Sequence, residues 1–285
     1  MKFENIRVFN FEGALRGMRN PKNSWHLSDS SFGIAEWDNA YTYAKEAAWS
    51  WAYSVEPFDE SIRESIANNY LEWLEKNHRI YIDENYVEFA CIGPKDMKLA
   101  AALIHGGSEH RKFLRQIMVT VDITAPLYWW KEFDTYKVGT TANSTSTMHK
   151  LTSKPITLDC FETDDYDDSL RCGYVLGQPD TACVGVFVDD FIDFLEELRQ
   201  KYLETNDKAY WKELVRWLPE SWLQTRTVTM NYENILSMVH QREHHKLTEW
   251  SGSGDSFVHE SFIKFAKALP YMEDFLIAAN PSFEM

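Results

Sequence analysis

Two stretches of the chain carry residue types that can handle an anionic ligand. The first is residues 137–150, Lys137-Val138-Gly139-Thr140-Thr141-Ala142-Asn143-Ser144-Thr145-Ser146-Thr147-Met148-His149-Lys150. It is nearly all small and polar, with cations at both ends. Hydroxyls and free backbone N–H groups in such a loop can ring a phosphate, and a lysine can neutralise it. The same composition fits a flexible surface loop, although the tryptophan pair Trp129-Trp130 just upstream argues against a mere linker. The second stretch is residues 231–242. Read as a helix, it places Asn231, Asn234, Met238 and Arg242 on one stripe, with Ile235 beside it. An arginine at the end of such a stripe can hold an anion bidentately. An arginine near a helix C-terminus is equally well explained by the helix dipole.

Other patterns are weaker. His240 and His244 are one helical turn apart and His245 follows, but the His-Glu-x-x-His order of a metalloprotease is absent, so no metal is expected. There is no Gly-x-Ser-x-Gly elbow, no Gly-Lys-Ser/Thr phosphate loop and no Gly-x-Gly-x-x-Gly, which argues against the usual hydrolase, ATPase and Rossmann classes. The acidic run Asp159, Glu162, Asp164, Asp165, Asp167 and Asp168 lacks the spacing and the glycine of a calcium loop, and reads as a solvated loop.

The elements that must position these groups follow from periodicity. Residues 1–35 read as strand and loop, with Ile6, Val8 and Phe9 near a short strand and Gly13, Gly17, Asn20, Pro21 and Asn23 marking an irregular segment. Helices are expected at 36–54 and 59–77, from apolar residues at helical spacing, and at 96–106, closed by Gly106-Gly107. Residues 117–125 alternate, with Ile117, Val119, Val121 and Ile123 on one side, and predict a strand with one buried face. Pro126 ends it, and residues 127–134 resume as a helix. Further helices are expected at 189–215, with Phe191, Phe194, Leu195 and Leu198 inward, at 232–244, and at 256–269. The pattern is mostly helical with at least one internal strand, an α+β architecture with a helical N-terminal extension.

The 285 residues, 44% of them hydrophobic, suffice for one large core. Aromatic residues make up 15%, including eleven tryptophans, which fits core packing first and walls around a planar ligand second. A net charge of −15 repels a polyphosphate backbone, so nucleic acid is not an expected partner, whereas one mononucleotide phosphate needs only a few local cations. Cys91, Cys160, Cys172 and Cys183 form no Cys-x-x-Cys pair, and reduced thiols in a cytoplasmic protein are the expectation. No apolar leader or membrane span is expected.

The order of segments resembles the flavin-dependent thymidylate synthases. That family carries a Gly-His segment, a strand ending in Ala-Pro, a helix with Arg-Gln, then Arg-His-Arg-x-x-Ser-x-Asn-Glu-x-Ser-x-Arg. Later come Leu-Pro, an Asn-x-Arg stretch reaching a further arginine, and a glutamate. Here Leu103-Ile104 and His110 are similar to the first segment, and residues 119–126 to the strand. Thr135-Tyr136-Lys137 falls where Arg-His-Arg belongs, Thr140 on the motif serine and, with one inserted residue, Asn143-Ser144-Thr145-Ser146-Thr147-Met148 on the remainder. Leu218-Pro219 precedes Asn231, residues 231–242 match the later spacing, and Glu249 is near the last glutamate. The resemblance covers roughly residues 95–150 and 215–250. Residues 1–94 form a divergent N-terminal part, and 151–214 an acidic insertion and helix within a single domain.

The resemblance implies a central sheet flanked by helices, a homotetramer with sites between subunits, and binding of FAD and of deoxyuridylate (dUMP) or a related pyrimidine mononucleotide. NADPH and methylenetetrahydrofolate are implied as co-substrates. It implies flavin contacts at Thr135, Tyr136, Lys137, Asn143, Asn231 and Ser237, and nucleotide contacts at Glu132, Ser144, Thr145, Ser146 and Arg242, with His149 or Lys150 as a substitute cation. Family arginines are replaced by Thr135, Met148 and Glu233, a histidine by Tyr136, a glutamate by Ser144 and a glutamine by Glu132. A threonine cannot replace an arginine's charge. A non-catalytic binding or regulatory protein that kept the fold, and a flavin enzyme with a changed substrate, are the alternative expectations.

Overall fold

The alternating residues after Gln116 fold as the strand Met118–Pro126, and the main sheet is built around it. The computed structural model describes residues 1–36, 64, 68, 80–83, 86–146, 150–171, 183–252 and 259–280. In chain order the elements are β1 (Lys2–Phe9), α1 (Phe11–Arg19), β2 (Ser31–Glu36), β3 (Ile80–Asp83), β4 (Tyr86–Cys91), α2 (Pro94–His105), β5 (Met118–Pro126), α3 (Leu127–Phe133) and β6 (Thr141–Ser144). There follow α4 (Val184–Thr205), α5 (Lys208–Trp217), β7 (Leu223–Asn231), α6 (Tyr232–Arg242), α7 (Thr248–Ser251), α8 (Phe262–Lys267) and α9 (Met272–Ala279). The architecture is α+β. One antiparallel sheet has the order β1-β5-β7-β6, a second has the order β2-β4-β3, and helices flank them.

The faces of the main sheet follow the pleat. Val119, Val121, Ile123 and Ala125 of β5 and Val228 and Met230 of β7 are fully buried. They pack in one core with the aromatic face of α3, the apolar stripe of α6, and Phe262, Phe265, Met272 and Phe275 of α8 and α9. Each valine, isoleucine, methionine or phenylalanine among them contributes roughly 1.5–3 kcal/mol on burial. The opposite face is a hydroxyl ladder. Thr124 and Thr225 share a bond of 2.7 Å, and Asp122 accepts from Thr227 and from Asn5. These bonds hold the Asp122 carboxyl below the usual range. A second cluster, centred on Leu151, Ile156, Phe161, Leu195, Leu214 and Trp222, joins α4 and α5 to the chain after β6.

Several expectations are corrected. Residues 11–19 are a helix, not an irregular segment: Phe11, Ala14, Leu15 and Met18 are buried at spacings of three and four. Its glycine at 17 marks a close approach rather than a turn, since a Cβ there would lie 2.5 Å from Gln116 Oε1. Residues 189–215 form two helices. Asn206 takes the left-handed conformation that ends α4, and the Asp207 carboxylate caps α5 by accepting from Ala209 N at 2.8 Å. Phe194 faces solvent, 43% exposed, rather than the core. Glu36 ends β2 instead of opening a helix, and the expected helices over the rest of 36–54 and over 59–77 lie outside the described residues apart from residues 64 and 68, which are helical. Strand β7 and helix α9 were not anticipated. In the last expected helix, residues 253–258 lie outside the described residues, and α8 starts at a Ser261 cap that accepts from Lys264 N. Cys160 and Cys183 are free thiols.

A buried ion pair joins α1 to α2. Arg19 Nε donates to Asp96 Oδ1, and Ser28 and Ser30 hydroxyls donate to Asp96 Oδ2. Both charged side chains are almost fully buried. Asp29 adds the α2 cap, accepting from the backbone N–H of Lys95 at 2.9 Å and of Asp96 at 3.1 Å. Asp96→Ala would leave the buried Arg19 guanidinium without its carboxylate. It is expected to cost about 3–5 kcal/mol, read as a lower midpoint in urea unfolding with an unchanged slope.

Candidate functional site

The site begins with α3. Trp129 and Trp130 are fully buried posts, edge to face at 4.9 Å. Trp129 stacks on Trp250 at 4.5 Å, and Trp130 Nε1 donates to Gln224 O at 2.9 Å. With that face committed to the core, α3 turns Lys131, Glu132 and Asp134 outward. The chain then leaves the helix through a tight turn. Thr135 Oγ1 donates to Glu132 O at 2.7 Å, and Tyr136 N donates to Phe133 O at 3.0 Å. Lys137 and Val138 are exposed, Gly139 takes a φ of +76°, and Thr140 Oγ1 donates to Tyr136 O.

The hydroxyl-rich stretch is therefore partly a strand. Thr141, Ala142, Asn143 and Ser144 pair with Thr229, Val228, Thr227 and Arg226 of β7. Thr145 continues the attachment, donating from N to Thr225 O at 2.9 Å, and its carbonyl accepts from Gln224 Nε2 at 3.1 Å. Residues 141–146 are all exposed along this edge. Thr147, Met148 and His149 lie outside the described residues, and Lys150 is exposed.

Helix α6 meets this segment within the same chain. Asn231 caps it, Oδ1 accepting from Asn234 N at 3.0 Å, and Asn234 Nδ2 donates to Val138 O at 2.7 Å. The approach depends on a glycine: a Cβ at position 139 would lie 2.7 Å from Asn234 Oδ1 and 2.8 Å from Asn231 Nδ2. At the other end of α6, Arg242 Nη1 donates to Glu132 Oε2 at 2.8 Å and Nε to the Tyr136 hydroxyl at 2.9 Å. The guanidinium lies 4.8 Å from the Trp250 ring centre, and His245 Nε2 lies 3.3 Å from the same Glu132 oxygen. The Tyr136 hydroxyl in turn donates to Gln241 Oε1, whose amide donates to Ser237 Oγ at 3.1 Å.

The structure thus gathers Glu132, Thr135, Tyr136, Lys137, Asn231, Ser237 and Arg242 around one junction, with Asn143, Ser144 and Thr145 on the adjoining strand edge. Their availability differs. Lys137 and Asn143 are open to solvent, while the Asn231 side chain is turned into its cap. Arg242 already holds a carboxylate. Glu233, which stands where the resemblance has an arginine, sits 2.9 Å from Arg111, so the charge at that point is reversed and paired internally. One cation escaped the sequence reading. Arg226, the cross-strand partner of Ser144, reaches Asp134 at 2.7 Å and Gln224 at 2.9 Å, and covers Trp130 at 4.2 Å. The available signal was the alternation of Thr225, Thr227 and Thr229 with Gln224, Arg226, Val228 and Met230.

A second polar group lies behind α3. The Tyr128 hydroxyl donates to the buried Glu249, with Glu162 3.4 Å away. Glu162 anchors the acidic run: its N donates to Ser221 O, and its side chain accepts from Asp164 N at 2.8 Å. Asp159, Asp165, Asp167 and Asp168 are solvated as expected, but Glu162 and Asp164 are half-buried. Burial, with Glu249, Asp164 and Asp165 nearby, raises the Glu162 carboxyl above the ordinary range. Burial and the bond to Glu249 likewise push up the Tyr128 phenol.

No family model and no curated protein matches the chain. Similar solved structures include the flavin-dependent thymidylate synthase ThyX from Helicobacter pylori complexed with FAD and dUMP. It is 16% identical, covers 65% of this chain and 82% of that one, and gives a TM-score of 0.43. A second structure of ThyX from Helicobacter pylori with FAD and dUMP is 13% identical over 90% and 100% of the two chains, with a TM-score of 0.42. The UMP/dUMP methylase PolB from Streptomyces cacaoi, bound with 5-Br UMP, is 16% identical over 67% and 84%, with a TM-score of 0.43.

Two outcomes follow from the geometry. Gly139→Ala combines a left-handed φ with a collision against Asn231 and Asn234. It is expected to cost about 1–3 kcal/mol in thermal or urea unfolding. Glu162→Gln tests the raised carboxyl. A raised folded pKa means that ionisation opposes folding, so the parent loses stability as pH rises from about 4.5 through the higher folded value. The glutamine variant is therefore expected to gain stability over the parent progressively above that pH and to match it below. A difference independent of pH would contradict this.

Proposed function

We propose that the chain is a flavin-dependent, thymidylate-synthase-like enzyme acting on dUMP or a related pyrimidine mononucleotide. Methylenetetrahydrofolate donates the one-carbon unit, and NADPH reduces the flavin. The observation that carries this reading is the junction itself. The two stretches that resemble the family's motifs lie some ninety residues apart in sequence, yet Asn234 grips the backbone at Val138, and Arg242 grips Glu132 and Tyr136.

The donor set suits a flavin nucleotide in part. Lys137 is an exposed cation beside an open strand edge carrying Asn143, a setting that accepts a phosphate and a polar ring system. Asn231, Tyr136 and Ser237 are hydrogen-bonded within the junction, so on this reading they set the loop's position, with Thr135 at its rim. When bound, reduced flavin supplies the hydride. Ser144, Thr145, Ser146 and Lys150 receive the nucleotide phosphate, while Glu132 and Arg242 orient the pyrimidine. The assembly on this reading is a homotetramer.

A second reading is favoured by one specific feature. Arg242 is neutralised by Glu132, and Glu233 by Arg111, so the junction holds less free positive charge than an anion-stabilising active site wants. That suits a binding or regulatory protein that keeps the fold without the chemistry. Titration of the purified chain with FAD, then with dUMP, separates the two. The enzyme reading expects a perturbed flavin absorbance band, a further change on adding dUMP, and roughly tenfold weaker flavin binding in Lys137→Ala. Formation of thymidylate (dTMP) from dUMP on addition of methylenetetrahydrofolate and NADPH completes it. Binding without turnover, or a chain that takes up no flavin, supports the second reading, and uptake of neither ligand removes the assigned site residues.

A further inference from the structure

Helix α4 carries an apolar strip that nothing in the proposed chemistry uses. Phe187, Phe191 and Phe194 form a ladder along it, with ring centres 6.1 and 6.3 Å apart and the first pair nearly parallel. Phe191 is packed against the second core cluster, but Phe187 and Phe194 are 56% and 43% exposed. Val186 and Leu170 extend the strip, at 49% and 59% exposed. Leu170 is fixed beside the helix start, because Val184 N donates to its carbonyl at 2.7 Å and Gly185 N to that of Asp168 at 3.0 Å. From Phe187 to Phe194 the strip covers about 10 Å of helix, close to two turns of an opposing helix.

Carboxylates border this strip. Asp190, Asp193 and Glu197 are exposed along one side of it, and Asp168 adjoins the first turn of α4. The first basic residue of α4 is Arg199, which is buried and bound to Glu196 and to Thr152 O. An exposed aromatic ladder of this kind marks an interaction surface, and its rim dictates what can approach. Anionic lipid and nucleic acid are repelled. A second copy of this chain would oppose the same carboxylates, on a molecule of net charge −15.

We propose that this face of α4 is a docking site for a cationic amphipathic helix of another polypeptide. Such a helix lays apolar anchors at i, i+3 or i+4 and i+7 on Phe187 and Phe194 and sets lysines or arginines against the acidic rim. The site is independent of the junction at Arg242, so its failure leaves the proposed function untouched.

The test uses the full chain and a labelled leucine–lysine peptide of about 15 residues, long enough to form an amphipathic helix, read by fluorescence anisotropy. A scrambled peptide of equal composition and charge is the comparison. The expected result is binding roughly tenfold tighter for the amphipathic peptide. Phe187→Ser with Phe194→Ser should abolish that preference. A charge-neutral set, Asp190→Asn, Asp193→Asn and Glu197→Gln, should weaken binding and flatten its salt dependence. Both sets of positions lie on the exposed side of α4, and an unchanged melting curve verifies folding. Equal binding of the scrambled peptide, or a phenylalanine variant that melts normally and binds like the parent, overturns the proposal. So does sedimentation in which the parent self-associates and the phenylalanine variant does not, which would make the occupant a second copy.

Discussion

The arrangement rests on where β7 pairs. Nine consecutive residues, from Leu223 to Asn231, match Pro126 to Met118 in register, and the opposite edge of the same strand takes Thr141 to Ser144. A one-residue slip would turn Val228 and Met230 out of the core and bring Thr227 and Thr229 in. The hydroxyl ladder with Thr120, Asp122 and Thr124 would be lost at the same time. Both faces therefore select one register. That register fixes the point at which the chain turns into α6, and so places Asn231 and Asn234 against Val138 and Gly139. The segment after α3 is then held at two places, by the ladder at residues 141–144 and by α6 at residues 136–139.

The electrostatics of the junction show a chain that pairs its charges internally. Arg242 faces Glu132, Arg226 faces Asp134, and Arg111 faces Glu233. Each partner comes from a different element, so the pairs act as ties as much as charge carriers. Arg242 adds a ring contact with Trp250, and Arg226 one with Trp130, which gives these guanidinium groups apolar platforms as well as carboxylates. Behind the same helix, Tyr128, Glu249 and Glu162 concentrate negative charge in a half-buried space. The acidic run is fastened instead by the backbone bond from Glu162 N to Ser221 O and by the ion pair between the Met1 amino group and Asp164.

Much of this was legible where a single physical rule governs a segment. The strand at 118–126 alternates cleanly, the helix at 94–105 has a proline start and a glycine stop, and the helix that follows Asn231 was read from its spacing, although Met238, placed on its polar stripe, is buried in the core. What escaped had two rules in competition. Glycines at 13 and 17 read as breakers, yet there they relieve close approaches to Asn10 and Gln116 in a helix whose apolar stripe is clear in retrospect. Strand β7 carries threonines, a glutamine and an arginine on positions that face a polar ladder or a tryptophan ring, so its two faces differ less in hydrophobicity than in what they meet. The pairing of Arg242 with Glu132 was invisible for a different reason. Residues 110 positions apart show no periodicity, and each looked like a ligand-facing charge on its own.

That pairing bears on what the junction can accept. Two opposite charges in contact near a protein surface attract by about 4 kcal/mol at an effective dielectric of 20. A phosphate approaching Arg242 must overcome that attraction and tolerate the displaced carboxylate beside it. A neutral polar edge faces no such penalty: it can donate to a carboxylate oxygen and accept from a guanidinium nitrogen without breaking the pair. Lys137 and the strand edge at residues 141–146 are exposed and suit the charged end of a ligand better. On the proposed reading the nucleotide therefore lies with its phosphate toward the strand edge and its base toward the Glu132–Arg242 pair. On that same reading Glu132, which stands where the resemblance has a glutamine, makes Arg242 half of a neutral pair, and the work of holding negative charge falls to the hydroxyl-rich segment.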